Sequence, residues 1–275
     1  LAAIVRKEWA ETLKNKTIVW TFLGLGIVFT LLPIGLGLIA PRVAADTLLA
    51  DPDVSRVTDV LAAALPGFGT LSPVGQFQVY ILRQFLPMFL LLPVMGAMSI
   101  ATYSIIGEKT SRSLEALLAT PTTTRDLLLG KALAGATIAT IQGAIIFLFA
   151  PLAGIHLTPW SIVACILVML LSGLGLTATG LCFAARMTSF EGFGTVNNFI
   201  ILPLYFASGA QFPLDRAPQW MQTLALLNPL AYSVDLLRGL LIGMWRFPPL
   251  VDLGVLVGFA LVALAAATWS FRQTE

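Results

Sequence analysis

Charge is what this chain has least of. Only 11% of its 275 residues are charged, against about 25% in a soluble domain, while 57% are hydrophobic. With a mean hydropathy of +0.89, that excludes a water-soluble enzyme or binding module and leaves an integral membrane protein. The net charge of +2 says little about partners, because in such a protein charge matters by position. Histidine is almost missing: His156 stands alone and no His-Glu-x-x-His pattern occurs, which excludes the common zinc hydrolases. An intramembrane serine hydrolase would need folding to bring His156 to a serine such as Ser208, and a lone loop histidine is more often solvated. Cys165 and Cys182 are the only cysteines, roughly 25 Å apart along one helical run at ~1.5 Å per residue, too far for an internal disulfide. A phosphate loop is missing too. Around the single Gly130-Lys131 pair, Arg125 stands where a glycine is needed and Ala132 where Ser or Thr is needed, so any ATP driving this protein binds another chain.

What the sequence has instead is long apolar runs. Six of them, residues 18–40, 85–106, 132–155, 161–185, 193–212 and 253–271, contain no charged residue, and each is near the roughly 20 residues a helical span needs. Six spans put both termini on one side. Placing the amino terminus in the cytoplasm puts ten of the 16 basic residues inside, all five lysines among them, as the positive-inside rule requires. Trp20, Trp160 and Trp269 fall at span ends, where an interfacial aromatic belt belongs. Residues 1–17 lack the pattern of a cleavable signal peptide. They carry Val5, Trp9 and Leu13 four apart among charged residues, which predicts an amphipathic helix lying in the membrane surface. With no repeat, low-complexity tract or soluble insert, residues 1–275 form a single all-α transmembrane domain.

Between the second and third runs lies the densest patch of charge, residues 107–131, GEKTSRSLEALLATPTTTRDLLLGK. Leu114, Leu117, Leu118 and Pro121 follow a three-four spacing, while Glu108, Arg112 and Glu115 lie on or beside the other face, so a short amphipathic helix is expected, ended by Pro121. The positive-inside orientation makes it cytoplasmic. A solvated loop would obey the same rule. On the outer side, residues 41–84 contain a possible helix from Val54 to Leu65 before a Pro66-Gly67 break. Residues 213–252 hold two apolar stretches parted by Asn228-Pro229, each too short to cross, which predicts a re-entrant helical hairpin. A single extra span there would bury Asp235 and Arg238 in hydrocarbon at roughly 2.5 to 3.5 kcal/mol each. Local pairing of those two residues is expected instead.

Polar residues inside the runs are candidates for a substrate path: Ser99, Thr102 and Tyr103 in the second run, Asn197, Asn198 and Ser208 in the fifth. Hydrogen bonding between helices is the competing use of the same groups. Ser172 to Gly180, SGLGLTATG, is read as a close-packing face.

Two segments resemble the permease subunits of type-2 ATP-binding-cassette transporters, largely exporters. EKTSRSLEALLATP, beginning at Glu108, is similar to that family's coupling segment, with Arg112-Ser113 where many members have Gly-Thr and with Glu115, Leu118 and Pro121 matching. FASGAQFPLDRAPQWMQTLALLNPLAYSVDLLRGLLIG, beginning at Phe206, resembles the signature between the fifth and sixth spans. The resemblance implies six spans per subunit, two permease subunits side by side in the inner (plasma) membrane, and a separate cytoplasmic ATPase that binds ATP and magnesium. This chain itself would bind no cofactor. Glu108, Arg112, Glu115, Leu118 and Pro121 would then couple it to the ATPase, with the charges setting docking register. An ion-coupled secondary transporter, whose broken helices look like the Asn228-Pro229 hairpin, is the alternative; against it, no run contains an acidic residue.

Overall fold

The computed structural model describes residues 1–16, 67–111, 123–144, 157–187, 189–210 and 217–273 without Met244, and the single residues Trp20, Gly35, Leu36, Ile39, Ala62, Ser113, Phe147 and Leu214. Among these it is all helical. Helix α1 is Ala2–Lys14, α2 is Pro73–Thr110, α3 is Thr124–Ala144, and α4 is Pro159–Arg186. Helix α5 is Phe190–Phe206, α6 is Gln219–Leu227, α7 is Pro229–Ile242, and α8 is Pro249–Arg272. Among the described residues three helices, α3, α4 and α8, are long and apolar enough to cross a bilayer, and a fourth crossing is counted if α6 and α7 form one broken span. Most of the first expected run, the helix expected before Pro66 apart from Ala62, His156, and Arg112, Glu115, Leu118 and Pro121 lie outside the described residues.

The helix starts follow from local chemistry. Ser72 caps α2, its Oγ accepting from the Gly75 N–H at 3.2 Å, and Pro73 sits at the first turn, where a missing N–H costs nothing. Residues 73–84, expected outside the span, are therefore helix: the cap at Ser72 and Pro73 starts α2 well before the apolar run that begins at residue 85. Thr158 and Ser161 form a reciprocal capping box on α4. Gly67, at φ 82°, makes the turn expected at Pro66-Gly67.

Helix α4 stands at the centre and packs on α2, α3, α7 and α8. Its small residues work in three directions. A Cβ on Gly173 would meet the Ala136 Cα of α3 at 3.2 Å, one on Gly175 would strike the Phe259 ring of α8 at 2.4 Å, and one on Gly180 would meet the Met98 carbonyl of α2 at 2.8 Å. The close-packing face thus serves three neighbours at once, while Thr177 and Thr179 return their hydroxyls to the Gly173 and Gly175 carbonyls.

Helices α6 and α7 meet at 92° across Asn228. That side chain serves both of the helices it touches. Its Oδ1 accepts from the Leu230 N–H at 3.0 Å, capping α7, and its Nδ2 donates to the Leu204 carbonyl at 2.6 Å, in the last turn of α5. Helix α7 ends at Gly243, φ 70°, and Trp245 then folds back over Gly239, where a Cβ would fall 2.2 Å from the indole.

Candidate functional site

Helix α1 forms where expected, but its inward face is centred on Glu8. Ile4 presses on Gly130 of α3, at 2.6 Å from where a Cβ would stand, and the Trp9 Nε1–H donates to Thr137 Oγ1 at 3.0 Å. Leu13, the third member of the expected apolar stripe, is exposed.

Glu8 enters a buried ionic network. The Lys131 ammonium, fully enclosed two turns into α3, lies 2.6 Å from Glu8 Oε1 and 2.9 Å from Glu108 Oε2, and donates to Ser104 Oγ at 2.5 Å. Glu8 Oε1 and Ser104 Oγ accept its hydrogen bonds, while Glu108 Oε2 is held by charge without accepting one. Ser104 passes its own proton toward Glu8 Oε2 at 2.7 Å. Lys7 closes the far side, 2.7 Å from Glu108 Oε1 and 3.4 Å from Glu11. Burial pulls the Lys7 pKa down, but the Glu108 hydrogen bond and the charges of Glu108, Glu11 and Glu8 outweigh it, leaving the pKa above its ordinary 10.5. Glu8, Glu11 and Glu108 each bring an oxygen within 4.8 Å of the others, as cation ligands would, yet each already faces the ammonium of Lys7 or Lys131. The geometry is that of a lock.

That lock joins both flanks of the charged segment. Glu108 lies near the end of α2 and Lys131 two turns into α3, so the two helices that flank residues 112–122 are joined by a side-chain ion pair at 2.9 Å, and both are tied to α1. Glu108, expected to face a docking partner, has its carboxylate buried and engaged within the chain. Sequence reasoning missed Lys7, Glu8, Ser104 and Lys131. The one local sign was that Glu8 falls a turn after Ile4 and a turn before Thr12, on the helix's less polar side.

The expected path residues are not brought together. Thr102 is buried and donates to the Met98 carbonyl at 2.9 Å, beside Gly180, a packing role. Ser99 is half-buried, Tyr103 and Asn198 are exposed, and the Asn197 side chain is outside the described set. Ser208 lines a largely apolar pocket between α3, α4, α5 and α7, together with Tyr205 and the Ser172–Ser233 hydroxyl pair, 2.7 Å apart. Asp235 and Arg238 also part company. The Asp235 carboxylate accepts from the Arg246 and Phe247 N–H groups at 2.9 to 3.0 Å, and Arg238 donates to the Ala210 carbonyl at 3.2 Å. Asp252, beside Asp235, is fully buried, and since α8 begins at Pro249 it is an acidic residue within an apolar helix where none was expected.

Apolar helices packed round α4, three of them long and apolar enough to cross a bilayer, define a helical membrane domain. Comparison with known proteins gives its family. Residues 1–242 match the ABC-2 type transporter family, and the chain belongs to it. It is 31% identical over 184 residues to Nodulation protein J of Rhizobium leguminosarum bv. viciae, covering 65% of this chain and 70% of that one. It is 32% identical over 188 residues to Nodulation protein J of Rhizobium meliloti (strain 1021), with the same coverage. It is 28% identical over 214 residues to the inner membrane transport permease YadH of Escherichia coli (strain K12), covering 75% and 81%. Family members are the permease, membrane components of ATP-binding-cassette transporters, and are not themselves the catalytic part.

Proposed function

We propose that this chain is the membrane-spanning subunit of an ATP-driven exporter, working as a pair of permeases over separate cytoplasmic ATPase subunits that bind the ATP and magnesium. The observation that carries this reading is the Glu108–Lys131 ion pair, which makes one body of the two bases of segment 107–131 and α1. A push on residues 112–122 is then delivered to α1, α2 and α3 together. Arg112, Glu115, Leu118 and Pro121 meet the ATPase, and Glu108 holds the segment's root. Segments 18–40, 85–106 and 193–212 join α3, α4 and α8 to make six spans, with both termini in the cytoplasm and the protein in the inner (plasma) membrane, as the name of YadH suggests. At ~1.5 Å per residue the 14 residues of α7 rise roughly 21 Å, short of the roughly 30 Å hydrocarbon core, which supports the re-entrant reading of α6 and α7. Ser99, Tyr103, Asn197, Asn198 and Ser208 remain the residues for the substrate path.

The test is copurification from the native host. An ABC ATPase should come down with the wild-type chain and be lost with Glu115→Arg while the variant still inserts; equal recovery from both removes Glu115 from the interface. A second reading, ion-coupled transport, draws on the buried Asp252, and uptake or efflux that follows an ion gradient and ignores ATP would select it.

A further inference from the structure

Lys109, next to Glu108, makes a separate set of contacts. Its ammonium donates to the carbonyls of Ala184 at 2.8 Å, Ala185 at 2.5 Å and Met187 at 3.4 Å, the end of α4, and lies 5.9 Å from the centre of the Phe271 ring in the last turn of α8. A helix C-terminus leaves carbonyls without partners and carries partial negative charge, so a cation from another helix is held there by both effects. Ser270, beside Phe271, donates to the Cys182 carbonyl at 3.4 Å, fastening α8 to α4 at the same level. Successive side chains on a helix diverge by about 100°. Glu108 accordingly reaches α1 and α3, and Lys109 reaches α4 and α8.

We propose that Lys109 is a positioning residue that carries movement of segment 107–131 into α4 and α8, so that the dipeptide Glu108-Lys109 distributes one input to the four other helices it touches. The inference rests on the coupling role assigned above. A simple cap would hold α4 and do no more; a transmitting residue must also be needed for α4 to respond to nucleotide.

The protein supplies a reporter. Cys182 is half-buried in α4, two residues before Ala184, whereas Cys165 is fully buried. The complete transporter, reconstituted in lipid with a cysteine-free ATPase, is treated with a maleimide without nucleotide and after trapping with MgATP and vanadate, and alkylation of Cys182 is followed by mass spectrometry. In the wild type the rate should change on trapping. In Lys109→Met the change should be lost while the ATPase remains bound and hydrolyses ATP, and Lys109→Arg, which still donates to carbonyls, should restore it. If Lys109→Met does not assemble, Lys109→Gln is read by the same criterion. A variant that responds like the wild type overturns the inference alone. A wild type with no response to nucleotide overturns the coupling role and this inference with it.

Discussion

At the scale of single residues, the consequential feature is an ammonium group sealed among carboxylates. Removing one partner of a buried ion pair leaves uncompensated charge and typically costs about 3 to 5 kcal/mol. Lys131→Met, which strands Glu8 and Glu108, should therefore lower the thermal midpoint of the purified chain sharply. Glu8→Gln/Lys131→Met together should recover part of the loss, because one stranded charge goes with its partner. Lys7 gives a pH signature. It holds its proton more tightly folded than unfolded, so its contribution is fully present below about 10.5 and fades as pH rises through the higher folded value. Thermal melts taken across that alkaline window should fall more steeply for the wild type than for Lys7→Met; parallel curves would show that the Lys7–Glu108 contact does not persist in solution.

At the scale of elements, Asn228 ties the end of α5 to the start of α7. Asn228→Ala removes a cap worth about 1 kcal/mol and leaves the Leu204 carbonyl with one partner fewer, about 1 to 3 kcal/mol more. Hydrogen exchange should rise at both helix ends in that variant, and at the α5 end alone in Asn228→Asp, which keeps the acceptor and lacks the donor. Trp245 lying on Gly239 makes a second element-level expectation. Gly239→Ala should destabilise by about 1 to 3 kcal/mol through overpacking, and Trp245→Ala in the same chain should relieve it, as paired melts would show. The Asn228-Pro229 break was legible because proline and a capping side chain write a helix start into adjacent residues. The early start of α2 was not, because composition reports where a helix leaves the bilayer and says little about where it ends.

At the scale of the molecule, orientation underlies the reading. A cysteine placed at Glu115 should resist a membrane-impermeant maleimide in intact cells and react in inverted vesicles; labelling from outside would reverse every inside and outside assignment. The helices α4 and α8 and the α4 packing face were readable from the chain because each is written in neighbours along it. The lock was not: Glu8, Glu108 and Lys131 are each unremarkable as local sequence and acquire a role only when α1, α2 and α3 converge. The same convergence explains why Glu108, expected with Arg112 and Glu115 on or beside the polar face of the segment, is buried.

The three glycine contacts of α4 carry a last consequence. With neighbours seated into it on three sides at separations that admit no extra carbon, that helix cannot turn or slide on its axis without expelling one of them. Any cycle of opening must then move α2, α3, α4 and α8 together as one body. Relative motion is left to α5 against that body, since no glycine of α5 meets a neighbouring helix within contact distance among the described residues, and Phe199, Leu202 and Phe206 stand uncovered.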